Sequence, residues 1–80
     1  MTYKKFNSLA LERQANVVCK EGVLLGERTT ACFEISLFAV DGFYVEVFYN
    51  TRNQITFFEA FDNPSFLHLY LKAINLTGLF

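Results

Sequence analysis

The side chains in this chain that could do chemistry are few. Glu34 and Glu46 fall in what read as neighbouring strands, diagonal on one face and close enough to perturb each other if dry. Glu59 projects among apolar neighbours on the opposite face, and Arg28 is a natural charge partner for any of the three. Two carboxylates and an arginine on a sheet can move protons, yet the same set more often forms a salt-bridged strand face. Cys19 and Cys32 stand thirteen apart without C-x-x-C spacing, and His68 is the only histidine. Two sulfurs and one imidazole fall a ligand short of a closed zinc site. Two small buried thiols in a reducing compartment are expected, with one Cys19–Cys32 disulfide as the alternative. No Gly-rich phosphate loop, G-x-S-x-G or Cys-His pairing is present. These residues therefore predict no catalytic group, no metal and no cofactor.

Charge and length exclude other classes. Seven Lys plus Arg against eight Asp plus Glu give a net charge of −1, with no cationic run longer than Lys4-Lys5. Nucleic-acid backbones are bound by basic faces that release counterions, and that footprint is missing. No apolar run approaches the ~18 residues of a membrane span, and the N-terminus lacks a charged-then-apolar signal. The expectation is a cytoplasmic protein with no membrane and no nucleic-acid partner. A folded chain of 80 residues and 9.2 kDa buries about 63% of its unfolded surface. That burial contributes on the order of 125 kcal/mol, against about 120 kcal/mol of ordering entropy. Yet 52% of the residues are hydrophobic, including ten Phe and four Tyr. Disorder is ruled out, and some aromatic surface is left over for a partner.

The elements that must position these groups follow from periodicity. Ser8 to Glu21 carries good helix formers, with Asn7 or Ser8 as cap and Gly22 placed to end the helix in the left-handed conformation. Leu11, Ala15 and Val18, with Cys19 and Gly22 beside them, mark its core face. A start as early as Thr2 would add Phe6 and Ala10 to a neighbouring stripe. From Arg28 onward the period changes to two: Phe33, Ile35, Leu37 and Ala39 alternate with Cys32, Glu34, Ser36 and Phe38 in a strand, followed by a turn at Asp41-Gly42 and a strand from Phe43 to Tyr49. A three-residue loop, Val40-Asp41-Gly42, pairs Ala39 with Phe43, Leu37 with Val45, Ile35 with Val47 and Phe33 with Tyr49, a wholly apolar face. A two-residue turn would pair Phe38 with Val45, Ser36 with Val47 and Glu34 with Tyr49, mixing polar and apolar partners. The three-residue register is therefore expected. Ile55 to Phe61 forms a third strand, with Ile55, Phe57 and Phe61 toward the core. Asp62 or Asn63 caps a second helix that has Pro64 in its first turn and docks through Leu67, Tyr70, Leu71 and Ile74.

The resulting fold class is α+β: one domain over residues 1–80, in the order helix, three-stranded antiparallel meander, helix (α-β-β-β-α), with both helices on one sheet face. The far face then displays Phe38, Tyr44, Phe48 and Phe58 around Glu46, more aromatic surface than soluble monomers leave wet. That patch is the candidate interface: Phe38, Tyr44, Glu46, Phe48 and Phe58. A second copy of the chain is the expected partner, by this face or by a sheet edge, with another protein as the wider class. The expected function is a small non-catalytic, homo-oligomeric interaction or regulatory module. A ligand-binding or enzymatic pocket using Tyr44, Glu46 and Arg28 is the alternative, and single-strand binding through Phe38, Tyr44 and Phe48 is the weaker one.

Overall fold

The computed structural model describes residues 1–67 and residue 70. Its order is α1 (Tyr3–Asn7), α2 (Leu11–Glu21), β1 (Val23–Thr29), β2 (Glu34–Val40), β3 (Phe43–Tyr49), β4 (Ile55–Phe61) and a 3-10 turn (Pro64–Leu67). The strands form one antiparallel sheet in the order β1-β2-β3-β4. The α+β class and the meander follow from the alternation of Phe33 to Phe61. The strand count does not, because β1 precedes the three expected strands. Of the expected C-terminal helix, the described residues include the turn at Pro64–Leu67 and Tyr70; the rest lies outside them.

The N-terminal helical segment is two helices. Thr2 caps α1, its hydroxyl accepting from the Lys5 N–H at 3.2 Å. Ser8 closes α1, and α2 starts after Ala10, which makes no side-chain cap. The two helices are tied by Gln14, 7% exposed, whose amide donates to the Phe6 carbonyl at 3.0 Å. The Phe6 carbonyl, which also accepts from the Leu9 N–H at 3.0 Å, thereby gains a second donor inside the protein. The helix buries Val18 as expected, but its face is rotated from the expected one: Leu11 is exposed and Gln14 is buried. Gly22 keeps an ordinary extended backbone, φ −77°. Its role is steric, since a Cβ there would stand 2.5 Å from the Val18 carbonyl oxygen and 3.2 Å from the Phe38 ring.

The β2–β3 connection has two residues, Asp41-Gly42, with Gly42 at φ +85°. The pairs are Val40 with Phe43, Phe38 with Val45, Ser36 with Val47 and Glu34 with Tyr49. This is the mixed register, and it corrects the three-residue loop. The physical reason is that both faces of the sheet are covered, so neither has to be purely apolar. On the first face, Phe6 and Val18 pack over Val40, Phe43, Val45, Val47, Phe58 and Ala60. Phe6 is fully buried, with its ring centroid 5.8 Å from Phe43 and 6.1 Å from Phe58. On the second face, Leu37, Phe61 and Tyr70 form another buried cluster, with Tyr44 and Leu67 against it. Residues after β4 thus cover the face opposite α1 and α2, which corrects the expectation that one face carries all the cover. In β4, Phe58 and Ala60 belong to the core under the helices, whereas Ile55 and Phe57 are each more than 40% exposed.

Replacing Gly22 with alanine forces its Cβ against a main-chain oxygen that cannot swing away. The variant is expected to lose about 1–3 kcal/mol, read as a lower urea midpoint at unchanged slope.

Candidate functional site

Strand parity decides where each candidate side chain goes, and the two-residue turn separates residues that the other register would group. Phe38 and Phe58 lie on the face under α1 and α2, where Phe58 is 6% exposed and Phe38 borders Gly22. Tyr44, Glu46 and Phe48 lie on the opposite face. The five candidate interface residues therefore do not form one patch, and no single face offers Phe38, Tyr44 and Phe48 together for base stacking. Glu34 and Glu46 are likewise on opposite faces, and Glu59 is paired with Glu46 across β3 and β4.

On the second face the rings have already paired among themselves. Tyr44 stacks on Phe61 at 5.6 Å. Phe48 stacks on Phe57 at 4.3 Å, and Phe33 meets both edge-on at 5.6 and 5.7 Å. Between these groups sits the charged centre of the face. Arg28 on β1 reaches over β2 to Glu46 on β3, its Nη2 donating to Glu46 Oε2 at 3.1 Å and its Nε to the same oxygen at 3.3 Å. The Tyr70 hydroxyl donates to that oxygen at 2.6 Å and accepts from Arg28 Nε at 3.3 Å. The Arg28 guanidinium carbon also lies 5.6 Å from the centre of the Tyr70 ring. Arg28 is thus the charge partner of Glu46, one of the three carboxylates for which it was the natural counterion.

The electrostatics follow from burial. Glu46 is 7% exposed, and its Oε2 is held by three donated bonds from two side chains. Burial works to lower the Arg28 pKa, but the bonds to Tyr70 and Glu46 and the attraction of the carboxylate outweigh it, so the net shift is upward. Burial raises the Tyr70 phenol well above its ordinary value, and the bond it donates to Glu46 adds to that. Tyr70 keeps its proton at any neutral pH. The cluster can lock β1 to β3 and to the segment after β4, and it holds no proton to spare for acid–base work near pH 7.

The sheet edges were not legible as different, and they are. At β4, Asn7 donates to the Ala60 carbonyl at 3.0 Å and accepts from the Ala60 N–H at 2.9 Å. One side-chain amide thereby satisfies both main-chain groups of an edge residue, as a neighbouring strand would. At β1, the side away from β2 carries no hydrogen bond among the described residues. Val23, Leu24 and Leu25 run along it at 63%, 53% and 44% exposure. A register irregularity between Leu24 and Gly26 twists this strand locally. Cys19 and Cys32 are free and exposed, which corrects the expectation of buried thiols. Among the described residues there is no group of three or more acidic, histidine or cysteine side chains suited to a metal, and no helix long and apolar enough to cross a membrane.

The described residues thus form a four-stranded antiparallel meander with helices on one face, an Arg-Glu-Tyr cluster on the other and, at β1, an apolar edge that no described strand pairs. Comparison with protein-family models, with curated proteins and with solved structures finds no match.

The raised phenol pKa makes stability pH-dependent in a fixed direction. Its contribution is fully present below the unfolded-state value of about 10 and is lost as pH rises through the higher folded value. Wild type is therefore expected to lose stability in alkaline solution more steeply than Tyr70→Phe, measured by urea unfolding across that range. Glu46→Gln, which leaves Arg28 without its counterion, is expected to cost about 1–3 kcal/mol at pH 7.

Proposed function

We propose that this chain is a non-catalytic interaction module that pairs with a second copy of itself along the outer edge of β1. The observation that carries this reading is the contrast between its two edges. Asn7 occupies the main-chain groups of Ala60 on β4, while β1 presents three consecutive exposed apolar residues and an outer side that carries no main-chain hydrogen bond among the described residues. An open, apolar edge is a template for another strand. Two identical strands meeting antiparallel about a two-fold axis satisfy each other symmetrically, with Val23, Leu24 and Leu25 of each copy buried by the other. Arg28 supports the same reading, because its bonds to Glu46 and Tyr70 pin β1 to the sheet and hold that edge in shape for docking. The titratable residues that a catalytic pocket would have used, Arg28 and Glu46, are engaged in this structural cluster. Free exposed thiols at Cys19 and Cys32 suit a reducing compartment, and the reading extends to a cytoplasmic setting.

Light scattering of the wild type at tens of micromolar is expected to give twice the chain mass. A Leu24→Lys, Leu25→Lys variant is expected to give the monomer mass while its circular dichroism is unchanged, since both side chains are exposed. A monomeric wild type, or a folded double variant that stays dimeric, would sink the proposal.

A further inference from the structure

After its last strand the chain returns across the second face of the sheet, from one edge to the other. β4 ends at Phe61 on one edge strand, and Tyr70 lies against β1 at the opposite edge. Neighbouring strands are about 4.8 Å apart, so the crossing spans roughly 14 Å. Leu67 packs with Phe61, Leu37 and Tyr70 on the same face.

Tyr70 meets β1 at two successive positions of that face. Its hydroxyl accepts from Arg28 Nε at 3.3 Å while donating to Glu46 on β3 at 2.6 Å. Its ring lies so close to the Gly26 backbone that a Cβ there would stand 3.3 Å from the ring edge. Gly26 is also where β1 slips against β2: Leu24 pairs with Phe38 and Gly26 with Leu37, which leaves Leu25 as the extra residue. An extra residue interrupts the ladder and bends its strand. β1 is therefore held least firmly by β2 at this point, and Tyr70 presses on it there, directly beside exposed Val23, Leu24 and Leu25.

We propose that Tyr70 is a latch on the pairing edge: seated against Gly26 and Arg28 it presets the course of β1 for a second copy of the chain, and unseated it lets the pair dissociate. This rests on the reading of β1 as the self-pairing edge. An edge whose main-chain groups are already aligned pairs more tightly than one that must be ordered at the moment of binding. Tyr70 supplies that order on the far side of the irregularity, where β2 alone leaves the strand free to pivot. The coupling is reciprocal, so pairing at β1 favours the seated ring by the same factor by which the seated ring favours pairing. Whatever takes hold of the chain after β4 then acts on self-association without touching the paired strands.

Sedimentation equilibrium of the full chain over a dilution series tests this with Tyr70→Phe, Gly26→Leu and, as a control, Phe58→Leu in the core under α1 and α2. Tyr70→Phe removes the hydroxyl and keeps the ring, whereas Gly26→Leu fills the ring's seat and leaves the polar groups of the cluster intact. Each is expected to raise the dimer dissociation constant about tenfold, because both copies lose their latch. Phe58→Leu is expected to lower the urea midpoint and leave the dissociation constant unchanged. Hydrogen exchange adds a second readout on the Leu24→Lys, Leu25→Lys monomer, where a further Tyr70→Phe should speed exchange of the β1 amides bonded to β2 more than that of the β3 amides. A wild type that is monomeric at every concentration overturns the self-pairing reading and this inference with it. The latch alone is overturned if wild type dimerises through β1 but Tyr70→Phe and Gly26→Leu pair as tightly or more tightly, if Phe58→Leu weakens pairing as much as they do, or if exchange from β1 is unmoved.

Discussion

Two residues, Asp41 and Gly42, connect β2 to β3, and the shortness of that connection decides which side chains share a face. With the turn fixed, Leu37 and Ile35 are committed to one side of the sheet and Val45 and Val47 to the other, and all four are buried. A sheet with apolar side chains on both sides has to be covered on both. The chain meets this with α1 and α2 on one face and with Leu67 and Tyr70 on the other. A small protein therefore behaves as three layers, and its aromatic excess is spent on two interfaces within itself rather than one.

Much of this was legible. The alternation from Phe33 to Tyr49 and from Ile55 to Phe61 located β2, β3 and β4, and Asp41-Gly42 located the turn. The face assignment failed because a single covered face was assumed, and under that assumption the mixed pairs of Ser36 with Val47 and Glu34 with Tyr49 look unfavourable. β1 escaped notice for a different reason. Val23-Leu24-Leu25-Gly26 does not alternate, because the irregularity between Leu24 and Gly26 shifts the register by one residue. Asn7 reads locally as a helix cap, and no neighbour in sequence marks Gln14 for burial. Their partners, Ala60 and the Phe6 carbonyl, become visible only once the helices are placed against the sheet. Of the site, the attraction between Arg28 and a strand carboxylate was legible in charge alone. The part played by Tyr70 depended on a residue 24 positions beyond Glu46 folding back onto it.

A buried ion pair contributes little net stability once desolvation is counted, but it resists any arrangement in which either partner is left alone. Here that property acts on geometry. Among the described residues β1 has a neighbouring strand on one side only, and strands so placed are the easiest to peel away. Arg28 gives β1 a second attachment, across β2 to Glu46 and up to Tyr70, so loosening the edge would strand a charge in the interior.

The clamp between Asn7 and Ala60 has a consequence best put in the language of polymer chemistry. A sheet with two open edges is a bifunctional monomer, and pairing at one edge leaves the other ready for the next unit, so growth has no end. Occupying the main chain of Ala60 with a single amide obstructs that edge at one residue and moves the unit toward monofunctional behaviour. Under the proposed pairing through β1, the Asn7 clamp at Ala60 would hinder a further unit from adding at β4 and so limit assembly size.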